Sequence, residues 1–104
     1  DGMKEEINES KLFPLALAVI HGHLMMTQLI IKNKYSDVDQ VDGKGWNVLH
    51  FAARYDRVDI VHWLIERHQQ KTFILSYLMD INENYPLQIA CKYKNYKVAK
   101  FLVT

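Results

Sequence analysis

The sequence predicts an all-α chain built from a repeated pair of short antiparallel helices. One apolar motif occurs three times, and its central leucine is Leu15, Leu49 and then Leu87, so the repeat spacings are 34 and 38 residues. The 104 residues include only four glycines and two prolines, where average usage would give about seven and about five. This shortage argues against a turn-rich β-sandwich, and self-similarity at such a spacing is typical of stacked repeat architectures.

The first helix of each pair has recognisable start and stop signals. Pro14 and Pro86 suit the first position of a helix, where a backbone N–H would have no partner, and Asn47 can cap the middle helix through its side-chain oxygen. Gly22 follows the first of these helices at a position that favours a positive φ. These signals place the three first helices in the same phase of the repeat.

The second helix of each pair carries large apolar side chains at the spacing of one helix face. The composition agrees with a folded core, since hydrophobic residues make up 49% of the chain and charged residues 24%. We expect these side chains to be buried: Met26, Leu29, Ile30, Ile60, Val61, Leu64, Ile65, Val98, Phe101 and Leu102.

The middle unit, residues 42–53, reads Asp-Gly-Lys-Gly-Trp-Asn-Val-Leu-His-Phe-Ala-Ala. It resembles the ankyrin repeat, whose Thr-Pro-Leu-His-x-Ala signature follows an Asp-x-x-Gly turn. In the first unit, Gly22-His23-Leu24 matches the family's residues between its two helices. Because three units match in phase, the resemblance implies an all-α ankyrin-repeat solenoid of helix–turn–helix units with short β-hairpin fingers. About three such repeats are needed for stability, because each buries its face only against its neighbours.

The resemblance gives His50 a structural role. In the family this histidine bonds backbone groups and ties adjacent repeats together, whereas Ala16 and Gln88 occupy the same position in the other two units. The middle repeat is therefore expected to be the most rigid. The substitution His50→Ala should cost about 1–3 kcal/mol if it leaves buried partners unpaired.

Turn residues are the other structural positions that the resemblance implies. Asp42 and Gly45 belong to the finger turn, and Gly22 belongs to the turn between the helices. Glu83 replaces the finger glycine in the third unit, so that finger is expected to be irregular. Lys94 replaces the glycine between the helices there, which predicts local strain.

We expect one domain over residues 1–104. The second spacing exceeds the usual 33 residues, and the extra residues lie between Arg67 and Asp80. They form either added helix packed on the stack, which is the favoured interpretation, or an exposed apolar loop that meets a partner. The last helix is apolar to its end, which predicts that the chain is a fragment of a longer protein. The repeats are expected at about 12–41, 46–79 and 84–104.

The sequence contains no pattern of a catalytic, metal or cofactor site. His21 and His23 form the closest histidine pair, but no third ligand clusters with them and there is no Cys-x-x-Cys motif. Cys91 takes a position where the family has alanine, so we expect a buried, inert thiol. No glycine-rich phosphate loop or nucleophile elbow occurs. The sequence therefore predicts no enzyme, no metal and no cofactor.

Ankyrin proteins usually bind other proteins on a concave surface formed by the fingers and the exposed positions of the first helices. Trp46 would there neighbour Arg54, Tyr55 and Tyr93, because equivalent positions align across repeats, and these residue types often dominate interface energies. The alternative is that Trp46 folds over its own hairpin and Tyr55 is a lone surface aromatic. Transferred by register, the partner-binding residues are Lys44, Trp46, Arg54, Tyr55, Ile81, Asn82, Asn84, Lys92 and Tyr93.

We therefore expect a non-catalytic protein–protein interaction module that is a monomer in the cytoplasm. The alternative is a targeting or substrate-recruiting domain of a larger enzyme or of a secreted bacterial effector, which would work in the host cytoplasm. With 13 basic and 12 acidic residues, strong non-specific nucleic-acid binding is not expected, although the Lys-rich third repeat leaves nucleic acid or anionic lipid as a third alternative. No membrane span is expected, because the longest apolar run, 15–20, is far short of the about 20 residues that cross a bilayer.

Overall fold

The computed structural model describes residues 12–103, and within this range the backbone forms seven α-helices and no β-strand. The predicted all-α repeat architecture is confirmed, but turns take the place of the predicted β-hairpins. In chain order the helices are α1 (Pro14–Ile20), α2 (Leu24–Lys32), α3 (Val48–Tyr55), α4 (Val58–Arg67), α5 (Gln69–Leu75), α6 (Pro86–Lys92) and α7 (Tyr96–Leu102).

Two layers of helices build the stack. The first helices α1, α3 and α6 pack side by side, while α2, α4 and α7 form the second layer. Ala18, Ala52 and Ala90 hold equivalent positions in the first layer and are all buried, so these helices can approach closely. No helix of the described range exceeds ten residues. Isolated helices this short are marginal in water, so packing between the repeats stabilises them.

The start signals of the first helices act as the sequence predicts. Pro14 and Pro86 are the first residues of α1 and α6. Asn47 caps α3, because its Oδ1 accepts hydrogen bonds from the backbone N–H of Leu49 at 2.8 Å and of His50 at 3.3 Å. The local sequence thus fixes where each helix of the first layer begins.

The extra residues between the second and third repeats form helix α5, which packs on α4. Thr72 Oγ1 lies 3.1 Å from the carbonyl oxygen of Leu64 and 2.8 Å from that of His68 at the break between the two helices, so its one proton can be donated to either. Asn47 Nδ2 donates to the carbonyl of Leu75 at 3.1 Å, which ties α5 to the start of α3. The insertion is therefore added helix on the stack, as favoured above. Its outer face and the following turn expose large apolar side chains: Phe73, Ile74, Tyr77, Leu78 and Met79.

Two residues expected in the core lie on the surface instead. Met26 is 48% exposed and Leu29 is 50% exposed, whereas Ile30 is buried. In the first repeat α2 packs on α1 and α4, and no helix of the described range covers the face that carries Met26 and Leu29. The prediction was wrong there because helical spacing identifies an apolar face but not the neighbour that would cover it.

A residue in the left-handed conformation ends each first helix. Gly22 has φ of +71°, Asp56 +59° and Lys94 +60°. A side chain other than glycine pays about 1–2 kcal/mol for this conformation, and aspartate tolerates it better than lysine does. The strain predicted at Lys94 is therefore present in the structure.

Side chains of the following repeat cap the carbonyl ends of these first helices. Arg57 Nε donates to the carbonyl of Val19 at 3.1 Å, and its Nη2 donates to that of Ile20. Asn95 holds the equivalent position in the third repeat, and its Nδ2 donates to the carbonyl of Ala53 at 2.7 Å. These contacts supply donors to carbonyls that have no partner within their own helix, and they join each repeat to the next.

Candidate functional site

The second finger is a tight turn built around Asp42. Its Oδ1 accepts hydrogen bonds from the backbone N–H of Lys44 (2.9 Å) and Trp46 (2.8 Å), and its carbonyl accepts one from Gly45 (3.0 Å). Gly45 has φ of +83°, and a Cβ on it would lie 3.2 Å from the Cα of Asp80. Glycine therefore serves both the turn and the close approach of the next finger.

The third finger repeats these bonds around Asp80. Its Oδ1 accepts from the backbone N–H of Asn82 (2.9 Å) and Asn84 (2.8 Å), and its carbonyl accepts from Glu83 (2.9 Å). Glu83 has φ of +65°, so it adopts the conformation that glycine has in the second finger. The expectation of an irregular third finger is wrong, because this hydrogen-bond network imposes the same turn on a less suitable residue.

The two fingers are joined to each other side by side. The indole N–H of Trp46 donates to Oδ2 of Asp80 at 2.8 Å, and the backbone N–H of Ile81 donates to the carbonyl of Lys44 at 2.9 Å. Burial raises the pKa of the Asp80 carboxyl, but its hydrogen bonds outweigh that effect and hold the pKa below its usual value of 3.8. The carboxylate thus stays ionised and organises both fingers.

His50 is fully buried and connects the second repeat to the third finger. Its Nδ1 accepts from the backbone N–H of Asn47 at 3.1 Å, and its Nε2 lies 2.9 Å from the carbonyl of Asn84. These partners require the neutral ring with the proton on Nε2. Burial lowers the pKa of His50 because desolvation penalises the charged form. The indole of Trp46 stacks on the imidazole with 5.9 Å between centroids.

A second group of side chains meets at the far ends of α3 and α6. The guanidinium carbon of Arg54 lies 4.0 Å from the ring centroid of Tyr93 and 4.8 Å from that of Tyr55. The ammonium of Lys92 lies 5.4 Å from the centroid of the same Tyr93 ring. Arg54 and Tyr55 are one repeat before Lys92 and Tyr93, so the stacking of equivalent positions brings the four together. Tyr55 is therefore not a lone aromatic.

The structure divides the predicted binding residues into two groups. Trp46 precedes α3, packs on His50 and meets Phe51 edge to face at 5.2 Å. Arg54 lies six residues after Val48, the first residue of α3, which is about 9 Å along the helix at 1.5 Å per residue. The ring contacts given for Trp46 are with His50 and Phe51, and those given for Arg54 are with Tyr55 and Tyr93, so the expected proximity of Trp46 to the other group stays a prediction. We call the two groups the finger cluster (Lys44, Trp46, Ile81, Asn82 and Asn84) and the helix-end cluster (Arg54, Tyr55, Lys92 and Tyr93).

Accessibility differs between the members of the two clusters. Lys44, Asn82 and Lys92 are exposed, and Ile81 is 68% exposed. The remaining members are half-buried, because each also packs on its own repeat. Three exposed apolar residues lie directly before the third finger and were not among the predicted site residues. They belong to the apolar run between Arg67 and Asp80, which could have identified them. They are Tyr77, Leu78 and Met79.

The candidate groups for metal and thiol chemistry in residues 12–103 are the histidines, the acidic side chains and Cys91. No group of three or more His, Cys, Asp or Glu side chains in this range is arranged to hold a metal ion. Cys91 is exposed rather than buried, which corrects the expectation drawn from the family's alanine at that position. The position lies on α6 but faces solvent.

None of the helices in residues 12–103 is both long and apolar enough to cross a membrane.

Comparison with known proteins agrees with the geometry. Residues 15–65 match the family model described as ankyrin repeats (many copies). The mouse (Mus musculus) protein named Ankyrin repeat and SAM domain-containing protein 6 is 34% identical over 62 residues, which are 59% of this chain and 7% of the mouse protein. This chain therefore spans a small fraction of that relative.

A solved structure has a similar fold. It is that of the Bd0816 predatory endopeptidase from Bdellovibrio bacteriovorus in complex with immunity protein Bd3460, and one of its chains gives a TM-score of 0.76 at 22% identity. The match covers 89% of this chain and 46% of that one. A likeness at this identity establishes the fold alone. Both sequence matches are to ankyrin repeats and the helix stack agrees with them, so these findings together support the ankyrin repeat family for residues 15–65 and the neighbouring repeat.

Proposed function

We propose that this chain is a non-catalytic interaction module that binds a partner protein through the finger and helix-end clusters. Ankyrin repeats generally serve as protein-interaction modules. The observation that supports the proposal best is the helix-end cluster, in which an arginine and two tyrosines from two repeats form one half-buried group. Tyrosine and arginine are among the residues that most often dominate binding energy.

The helix-end cluster is preorganised in the protein without a bound partner. Contact with both tyrosine rings restrains the long side chain of Arg54, so less rotamer entropy remains to be lost on binding. The fingers are similarly restrained by the bonds from Trp46 to Asp80 and from Ile81 to Lys44. A partner would therefore meet a surface whose shape is already set, with Lys44, Ile81 and Asn82 at its exposed finger edge.

A second candidate is a targeting or substrate-recruiting domain within a larger enzyme or a secreted effector. The partial match supports it in one respect: the 62 matched residues are 7% of a mouse relative whose name also includes a SAM domain, so in that relative ankyrin repeats are joined to another domain. Both candidates use the same surface, and the sequence that flanks this segment in its gene would separate them. Under either, the proposed module is monomeric, does not depend on nucleic acid and works in the cytoplasm, or in the host cytoplasm for an effector.

Peptide selection with matched tyrosine variants tests the proposed surface. Peptides are selected from a phage-displayed library of random twelve-residue sequences against the purified protein, and their affinities are measured for two double variants. Tyr55→Ala with Tyr93→Ala alters the helix-end cluster, and we expect it to weaken binding about tenfold or more, since anchors of this kind contribute about 1–2 kcal/mol each. Tyr35→Ala with Tyr96→Ala removes two exposed tyrosines that belong to neither cluster, and it should leave affinity unchanged.

Thermal unfolding of both double variants shows whether the fold is retained. Equal affinities of the two folded double variants for every selected peptide would contradict the proposed surface. Failure to select any peptide would count against the proposal as well.

A further inference from the structure

On the proposed surface, the positively charged side chains form no ion pairs with carboxylates of the described residues. Within residues 12–103, none of the cations Lys44, Arg54 and Lys92 is paired with a carboxylate, and each lies against an aromatic ring. Arg54 and Lys92 lie beside the same Tyr93 ring, so two positive charges are held close together without an intervening acid. Such an arrangement favours an incoming anion.

The carboxylates of the same surface are already engaged by the protein itself. Asp42 accepts two backbone N–H groups of its own finger. Asp80 is buried and accepts two backbone N–H groups and the indole of Trp46. Asp56 and Glu83 are exposed in turns, and neither forms an ion pair with Arg54 or Lys92 in the described range. The surface therefore presents cations without ion-pair partners, while the two finger carboxylates, Asp42 and Asp80, are held by hydrogen bonds of the fingers themselves.

The position of Arg54 suits a carboxylate in particular. Its guanidinium carbon lies close to two ring faces, which cover the guanidinium but supply no hydrogen-bond acceptor. The five N–H donors of an arginine form a planar fork that matches the two oxygens of a carboxylate. In the part of the chain described, no acceptor occupies that fork, so it is available to a ligand.

We propose that the helix-end cluster recognises an acidic segment of a protein partner, with one carboxylate bound by the Arg54 fork and a second by Lys92. This proposal rests on the proposed function, since it names the kind of partner for the same surface. A protein segment fits better than nucleic acid, because the whole chain carries a formal charge of only +1 and non-specific nucleic-acid binding depends on many phosphate contacts.

The composition of the selected peptides and a charge-matched pair of variants test this proposal. Peptides selected from the random twelve-residue library should be enriched in Asp and Glu. Arg54→Gln with Lys92→Gln should weaken their binding about tenfold or more, since hydrogen bonds to charged groups are among the stronger ones. The control, Arg67→Gln with Lys32→Gln, removes the same charge from the outer helices α4 and α2, and it should change affinity by less than about twofold.

Three results would overturn the acidic-partner proposal. They are selected peptides without acidic enrichment, equal losses in both charge variants, and displacement of the peptides by single-stranded oligo(dT) as readily as by oligoglutamate. If the selected peptides show no acidic enrichment but the variant with Tyr55→Ala and Tyr93→Ala binds them more weakly, the acidic-partner proposal fails and the proposed binding surface stands. No loss in that tyrosine variant would remove both proposals.

Discussion

The sharpest prediction concerns His50, whose imidazole joins two repeats inside the core. In His50→Ala, the N–H of Asn47 loses its acceptor in a fully buried position. The carbonyl of Asn84 loses one donor but keeps the backbone N–H of Asp80 at 3.0 Å. The variant therefore creates one orphaned group and removes one further hydrogen bond.

The magnitude follows from these two losses. An orphaned buried N–H costs about 1–3 kcal/mol and a lost hydrogen bond about 0.5–1.5 kcal/mol, so we expect a destabilisation of about 1.5–4.5 kcal/mol. That is a large share of the about 5–15 kcal/mol available to a domain of this kind. At about 4–8 °C per kcal/mol, the melting temperature should fall by at least about 6 °C.

Gln88 supplies both a control and a way to separate the two bonds of His50. It holds the same position in the third repeat, where its Oε1 accepts from the exposed N–H of Tyr85 at 2.6 Å. Gln88→Ala should cost no more than about 0.5 kcal/mol, because water replaces the amide. His50→Gln should keep the bond to Asn47 and lose the one to Asn84, at about 0.5–1.5 kcal/mol.

Urea unfolding followed by circular dichroism gives all three free energies of unfolding. Equal destabilisation by His50→Ala and Gln88→Ala would refute the reasoning, because it would mean that the buried tie contributes no more than an exposed one. A fall in cooperativity for His50→Ala alone would instead support a connection between repeats, since repeat stacks depend on interfaces between neighbours.

Further predictions follow from the fingers and the turns. Trp46→Phe removes the indole N–H that donates to the Asp80 carboxylate. It should lower the free energy of unfolding, measured by urea titration, by about 1.5–3 kcal/mol. Glu83→Gly and Lys94→Gly should each raise it by about 0.5–1 kcal/mol, since relief of left-handed strain exceeds the added chain entropy; no gain in either would contradict the strain assignment. The folded-state pKa of His50 lies below 6.5, so the unfolded chain binds this proton more tightly. Stability should therefore be full above pH 6.5 and decline as the pH falls below it. His50→Gln should remove this part of the decline, as melting temperatures across the range would show.

The sequence predicted what depends on local chemistry. Pro14, Asn47 and Gly22 mark helix starts and ends through their own backbone preferences, so their effects do not depend on distant residues. The repeat then placed Arg54 above Tyr93, because equivalent positions stack. The repeat does not fix distances along a helix, so the expected proximity of Trp46 to Arg54 stays a prediction.

Exposure was the least predictable property, because it depends on which surfaces meet. Met26 and Leu29 have the spacing of a core face, yet no neighbour in residues 12–103 covers them. Cys91 was expected to be buried from the family's alanine and is exposed. Arg57 and Asn95 hold the same repeat position and both can donate hydrogen bonds, so the sequence shows two potential capping residues. It does not show which carbonyls accept their hydrogen bonds.

The most direct test of the concave-surface assignment is a map of backbone amide chemical shifts on adding one selected acidic peptide to the isotopically labelled protein. We predict that the shifts concentrate at the ends of α3 and α6, around Arg54 and Tyr93, and extend to the fingers at Trp46 and Asn82. Shifts confined to the exposed apolar face of α5 around Phe73, or to α2, would contradict the assignment.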